Sequence, residues 1–292
     1  MELAFIKKNI KTITIILFFI VSGILWLSLL IYGHYYSSTD NAYINAHVVQ
    51  IAPRITGKIT ELYVSNNQSI EKGAPLFAID SEPFELAVNS AYAELILRMA
   101  DLDNARNTKE RVLSLVKKKF LSSQEGDNAI AYYKTSSAKV EQAKASLAQS
   151  KLNLKYTQVI APVSGKIANL TLRSGDIVSL NQPLFVIISN EEFWVDANFK
   201  ETEMAAIKPG LKATIFSDMY PKHPFLGIVE SISGGTGSVF SLLPPQNATG
   251  NWVKVTQRVP VRVRITNADA QYPLRIGTSA KATIHLQDIV SG

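Results

Sequence analysis

Ile51-Ala52-Pro53, Gly57-Lys58-Ile59 and Pro75-Leu76-Phe77 recur along the chain as Ile160-Ala161-Pro162, Gly165-Lys166-Ile167 and Pro183-Leu184-Phe185. The interval from glycine to proline is the same in both copies. Each copy also carries a short alternating run of β character, Ile59, Leu62 and Val64 in the first and Ile167, Leu170 and Leu172 in the second. Turn signals follow at Lys72-Gly73 and at Ser174-Gly175-Asp176. Two such halves, over 44–80 and 156–189, predict a small β-sandwich built from two copies of one motif.

Strand-Gly-strand halves of this kind resemble the biotinyl or lipoyl carrier fold, in which a modified lysine sits on the hairpin joining the halves. That hairpin is missing here. Between Asp80 and Tyr156 there is no strand pattern and almost no Gly or Pro, and Lys58 and Lys166 follow glycines elsewhere. A membrane-tethered carrier reading therefore lacks its one necessary residue, and no cofactor is expected.

The interruption, over 82–155, reads as helix. Pro83 suits a first helical turn, and Phe84, Val88, Ala91, Leu95, Leu102, Ala105, Val112 and Val116 follow a 4,3 spacing broken by Arg98 and Lys109. This predicts a helix to about Lys119. Tyr133, Ser136, Val140, Ala143, Leu147, Ser150 and Leu154 keep the same spacing, with small residues that let two backbones approach closely. Two helices of about 35 residues, joined near Phe120 to Ser123, make an antiparallel coiled-coil hairpin projecting roughly 50 Å at about 1.5 Å per residue. Near its tip Arg111, Leu115 and Ser122 stand in the spacing R-x3-L-x6-S. Each also has an ordinary reading: Arg111 solvated, Leu115 covering the turn beside the seam, and Ser122 capping the second helix in a capping box with Glu125.

On the N-terminal side no charged residue occurs between Lys11 and Asp40, a run long enough to span a hydrocarbon core of roughly 30 Å. It is longer than the apolar part of a cleaved signal, and Tyr32, Tyr35 and Tyr36 follow it, where amphipathic rings favour the membrane interface. A transmembrane anchor is expected over 12–36. Lys7, Lys8 and Lys11 precede it, so residues 1–11 are expected in the cytoplasm and the rest exported. The chain has no Cys, hence no disulfide and no lipid-bearing cysteine. Its formal charge of +6 is dispersed except at Lys117, Lys118 and Lys119, which argues against nucleic acid as a partner.

From 190 to 292 the pattern is β: Phe193 to Phe199, Lys212 to Phe216, Leu226 to Ile232, Val253 to Ile265 and Ala280 to Leu286, punctuated by Pro209-Gly210, Tyr220-Pro221, Gly234-Gly235 and Ile276-Gly277. A compact β-barrel is expected. The long connection from Ser233 to Trp252 is apolar at its centre; Gly234-Gly235-Thr236-Gly237 lacks the context of a phosphate loop, so a packed interface loop is expected. His34, His47, His223 and His285 are scattered without metal-ligand spacing, and Ser164-Gly165 lacks a nucleophile-elbow frame. No catalytic or metal site is expected, and the chain is read as a non-enzyme.

The order of these parts resembles the membrane fusion protein family, which includes hemolysin-type secretion adaptors, and within it the EmrA-type multidrug efflux adaptors. The residues that carry the resemblance are Thr39-Asp40-Asn41-Ala42-Tyr43, Trp194 to Thr202, Gly237 to Pro244, Trp252, and Gln257-Arg258-Val259-Pro260-Val261-Arg262. The resemblance implies a mainly β fold with an α-helical hairpin: an N-terminal transmembrane helix, a split lipoyl-like β-sandwich interrupted by the coiled-coil hairpin, and a C-terminal β-barrel. It also implies an inner-membrane major-facilitator exporter and a TolC-like outer-membrane channel as partners, self-association into a ring, and a channel-contacting tip at Arg111, Leu115 and Ser122. An adaptor for ATP-driven export is the alternative in the same family. The hairpin here is shorter than in the best-known EmrA-like members.

Overall fold

The structure, a computed structural model, describes residues 17, 19–23, 35–237, 239, 254–269 and 271–289. Most of the anchor expected over 12–36, and most of the connection expected between 233 and 252, lies outside the described residues. Among the described residues no helix is long and apolar enough to cross a membrane. Tyr36, expected at the anchor's end, already stands in the first strand. The described residues divide into two compact units, with the chain passing between them at His47/Val48 and again at Ser189/Asn190.

The sandwich unit contains the second part of β1 (Tyr36–Ile51), then β2 (Gly57–Leu62), β3 (Ser69–Ile70), β4 (Pro75–Ile79), α1 (Glu82–Lys117), α2 (Ser123–Lys155), β5 (Gln158–Ile160), β6 (Gly165–Ala168), β7 (Ile177–Val178) and the first residues of β8 (Phe185–Lys200). The sequence repeat is a structural one. Ser69 and Ile70 pair with Lys166 and Gly165, while Ile177 and Val178 pair with Lys58 and Gly57, so each half lends a two-residue strand to the other. Asn67 N–H donates to the Ile167 carbonyl at 2.9 Å, and its counterpart Gly175 N–H donates to the Ile59 carbonyl at 2.8 Å.

The symmetry extends to backbone conformation. Ten and sixteen residues after each repeat glycine the chain takes positive φ: 64° at Asn67 and 87° at Gly73 in one half, 99° at Gly175 and 60° at Asn181 in the other. Asn and Gly, the two residues that tolerate this region best, exchange places between the copies. The repeat glycines themselves are required by close approach. A Cβ on Gly165 would collide with the Ile188 carbonyl oxygen, and one on Gly57 with the Ile79 side chain. The core repeats too: Ile59 with Ile167, Ile79 with Ile187, and Phe77 with Phe185, whose rings meet edge-on at 6.2 Å. Fully burying side chains of this size contributes about 1.5–3 kcal/mol each.

Strands β4 and β5 are antiparallel neighbours, with Ala78 opposite Gln158, and Ile79 N–H donates to the Thr157 carbonyl at 2.8 Å. The helices are thus inserted where a tight β-turn would otherwise join two adjacent strands. α1 has 36 residues and α2 has 33. Along α2 the buried residues Gly126, Ala129, Ser136, Val140, Ala143 and Leu147 continue the expected seam toward the tip, and α1 contributes Ala105 as its fully buried member. The charged interruptions are accommodated by pairing: Arg98 reaches Glu94 at 2.7 Å and Asp101 at 3.3 Å, and the Lys109 ammonium lies 3.6 Å from the centre of the Tyr133 ring.

The barrel unit takes the first part of β1, the second part of β8, then β9 (Leu211–Ser217), β10 (Pro224–Ile232), β11 (Arg258–Ile265) and β12 (Ser279–Ile289). Their order is β1-β12-β9-β10-β11-β8, and β1 also pairs with β8, which closes six strands into a barrel. The expected domain of 190–292 therefore closes with a strand from outside that range. The run expected as strand from Val253 begins only at Arg258, since 254–257 are irregular. Alternation along β8 buries Val195, Ala197 and Phe199 inside, and β9 buries Leu211, Ala213 and Ile215.

Candidate functional sites at the hairpin tip and the barrel seam

At the tip, α1 ends in a turn of definite geometry. Lys119 has φ 60°; its N–H donates to the Val116 carbonyl at 2.8 Å and the Phe120 N–H to the Leu115 carbonyl at 3.0 Å. This is the Schellman pattern, with lysine at the left-handed position that glycine usually fills. Phe120 follows, 74% exposed. Ser122 caps α2: its hydroxyl accepts from the Glu125 N–H at 3.3 Å, and its own N–H donates to the Glu125 carboxylate at 2.9 Å. Gly126 sits where a Cβ would touch Val116 and Leu113 at 3.5 and 3.6 Å, so the first turn of α2 lies closely on the end of α1.

The structure places the three tip residues in different settings. Arg111 is exposed, and among the described residues none of the ion pairs along the hairpin includes it. Leu115 is half-buried one turn later on the same helix face, beside the seam. Ser122 begins the other helix and is engaged in its cap. Lys119 and Phe120, which shape and crown the turn, were not among the expected tip residues. The exposed aromatic after three lysines was the available signal; nothing in the composition announces a lysine with positive φ.

In the barrel the quoted segments at 39–43, 194–202 and 257–262 meet along one seam. On β8, Trp194, Asp196 and Asn198 alternate with the buried residues and so share the outer face. Asn198 donates its side-chain amide to the Asn41 carbonyl and side-chain oxygen at 3.2 and 3.1 Å; Asn45 donates to Asp196 at 2.7 Å, and Trp194 Nε1 donates to the same carboxylate oxygen at 3.2 Å. From the other side Arg262 approaches Asp196 at 3.5 Å and stacks over the Trp194 ring at 4.6 Å, while Arg258 donates to Thr39 Oγ1 and the Asn198 carbonyl. His47 faces Trp194 and lies 3.8 Å from Glu192. These side chains bridge β1, β8 and β11 where the barrel closes. They hold strands together; the arrangement of amides, indole, carboxylate and guanidinium joined to one another offers no nucleophile poised beside a base. The start of the long connection is tied to the same region, Gly237 N–H donating to the Arg258 carbonyl at 3.2 Å.

The same parts recur in known proteins. Residues 47–190 match the model of the RND MFP barrel-sandwich hybrid domain, and residues 192–285 match that of the AAEA-like β-barrel domain. Colistin resistance protein EmrA of Acinetobacter baumannii is 30% identical to this chain over 330 residues, covering 94% of this chain and 93% of its own. The chain belongs to the membrane fusion protein family. Fatty acid resistance protein FarA of Neisseria gonorrhoeae is 33% identical, covering 82% of this membrane fusion protein and 74% of its own length. Among solved structures, membrane fusion protein Spr0693 from Streptococcus pneumoniae R6 shares the fold, with a TM-score of 0.63 at 16% identity over 85% of this chain and 97% of that one.

Proposed function

We propose that this chain is the periplasmic adaptor of a tripartite multidrug efflux pump, linking an inner-membrane major-facilitator transporter to a TolC-like outer-membrane channel. Residues 12–36 hold it in the inner membrane with 1–11 in the cytoplasm, and several copies assemble as a ring. The observation that carries this reading is the helical hairpin, two helices of 36 and 33 residues inserted into a β-turn position of a carrier-like sandwich. Such an element has little core of its own and projects about 50 Å, which suits a connector rather than a catalyst. The names of the relatives, which speak of resistance to colistin and to fatty acids and of multidrug export, support an amphipathic cargo. The transporter supplies the energy, and the adaptor contributes a sealed path without chemistry of its own.

The tip residues Arg111, Leu115 and Ser122 meet the channel in this reading. Arg111→Asp is expected to abolish export in a drug-susceptibility assay while leaving the unfolding midpoint of the purified protein unchanged. Normal resistance with that variant would remove the tip assignment. Crosslinking from position 111 and from the segment before Asp40, followed by mass spectrometry, is expected to recover an outer-membrane channel and a proton-driven transporter; recovery of an ATP-binding exporter would replace the efflux reading with that of ATP-driven export.

A further inference from the structure

Along α1, Leu86, Tyr92, Ile96, Leu97 and Met99 are large apolar side chains left between 47% and 62% exposed. At about 100° per residue they fall on one arc of the helix, turned away from the seam of Phe84, Val88 and Leu95. The two charged residues between Leu86 and Met99, Glu94 and Arg98, lie off that arc and pair with each other at 2.7 Å. An unbroken apolar face of about four turns is more than scattered surface residues supply.

α2 carries a surface that fits it. Ala138, Ala145 and Leu152 recur every seven residues and are exposed, on the side opposite the buried Ser136, Val140, Ala143 and Leu147. That stripe is nearly flat, so a helix with bulky side chains can approach it closely. The contacts of Lys109 with Tyr133 and of Val116 with Gly126 set the register of the hairpin, and this register puts Ala145 and Leu152 level with the apolar face of α1. The charges match as well. Residues 82–103 hold five carboxylates and one arginine, whereas residues 134–155 hold five lysines and one glutamate. Among the described residues the ion pairs of the hairpin run within one helix, and none joins α1 to α2 of the same chain. A single chain cannot bring the two surfaces together, because both face away from the seam the helices share.

We propose that the occupant of each surface is a second copy of this chain, the Leu86–Met99 face of one hairpin packing on the Ala138–Leu152 stripe of the next. This packing rests on the anchored, multi-copy part of the reading above, in which copies held in one membrane stand in a common direction with their sandwiches at one level. α1 then meets α2 of its neighbour antiparallel and in step, as it does α2 of its own hairpin. Burial of the apolar side chains drives the contact, and carboxylates facing lysines decide which helices meet. Two different surfaces are joined, so the contact is heterologous, the kind that builds rings.

The chain has no Cys, so introduced cysteines report only on themselves. The test uses the full chain in the membranes of the cells that express it, treated with a short bis-maleimide. Ile96→Cys and Ala145→Cys in differently tagged copies are expected to give a dimer carrying both tags and to lose the dimers carrying one. Both changes in one chain are expected to give a ladder at multiples of the chain mass. Glu94→Cys in place of Ile96→Cys, off the apolar arc, is expected to lose the product. Tyr92→Lys with Met99→Lys sets positive charge against positive charge and is expected to abolish the ladder while leaving the thermal midpoint unchanged. Absence of the two-tag dimer, single-tag dimers alone, a product with another protein only, or a ladder that survives the two lysines would each overturn the proposal. Drug resistance is scored in the same cells before treatment: a ladder without resistance removes the efflux reading and keeps the packing, and resistance without a ladder removes the packing alone.

Discussion

Lys119 holds the hairpin turn with a left-handed backbone that costs an L-residue about 1–2 kcal/mol. Lys119→Gly should therefore raise the urea midpoint of the purified protein, by about 1 kcal/mol when converted to free energy; a lower midpoint would mean that the lysine side chain contributes more than its backbone costs. Ser122 can be separated into its two possible roles at the same scale. Ser122→Ala removes the cap and should destabilise by about 1 kcal/mol, whereas Ser122→Asp keeps a capping oxygen and should stay near the parent. If Ser122→Asp folds normally and still exports drug, the hydroxyl serves the helix alone. On the barrel, Asp196→Ala strips partners from Asn45 and the Trp194 indole and should cost about 2 kcal/mol, read from the thermal midpoint. Most of that loss comes from the hydrogen bonds, since the half-exposed Arg262 pair adds little.

Among elements, the helices and the sandwich were the parts most open to reading, because their signals are periodic. The seam positions from Phe84 to Leu154 carry period and burial together, and the glycines at 57 and 165 mark steric contacts that no other residue fits. What escaped reading has a physical reason in each case. β1 serves both units, and a strand whose outer face carries Asn41 and Asn45 shows no sign in its own sequence of the partner that closes the barrel. The first repeat also holds one more residue between its proline and its glycine than the second, so Gly73 N–H meets the Ala161 carbonyl while Asn181 N–H meets that of Pro53, one step out of line with the matching letters. Within the coiled coil, Ala105 is the most enclosed residue of α1. Ala105→Leu should force the helices apart and cost about 1–3 kcal/mol, visible as lost helical signal on mild heating; an unchanged melt would show that the seam is slack there.

In the whole molecule, each compact unit keeps its own core, and the hairpin leaves the sandwich through two adjacent strands. Replacing 82–155 by an Asn-Gly turn should therefore yield a folded protein that has lost its helical circular dichroism and its export function, with the β signal and its melting transition retained. Collapse of the β signal in that variant would show that the helices are needed for the two halves to find each other. The feet of the hairpin are only a strand spacing apart, and they stand on the sandwich core alone. Reach is consequently an adjustable dimension: adding seven residues to each helix lengthens the span by about 10 Å and preserves the phase of the seam. A cell envelope of different depth asks for a different count of heptads, and neither β core has to be redesigned to supply it.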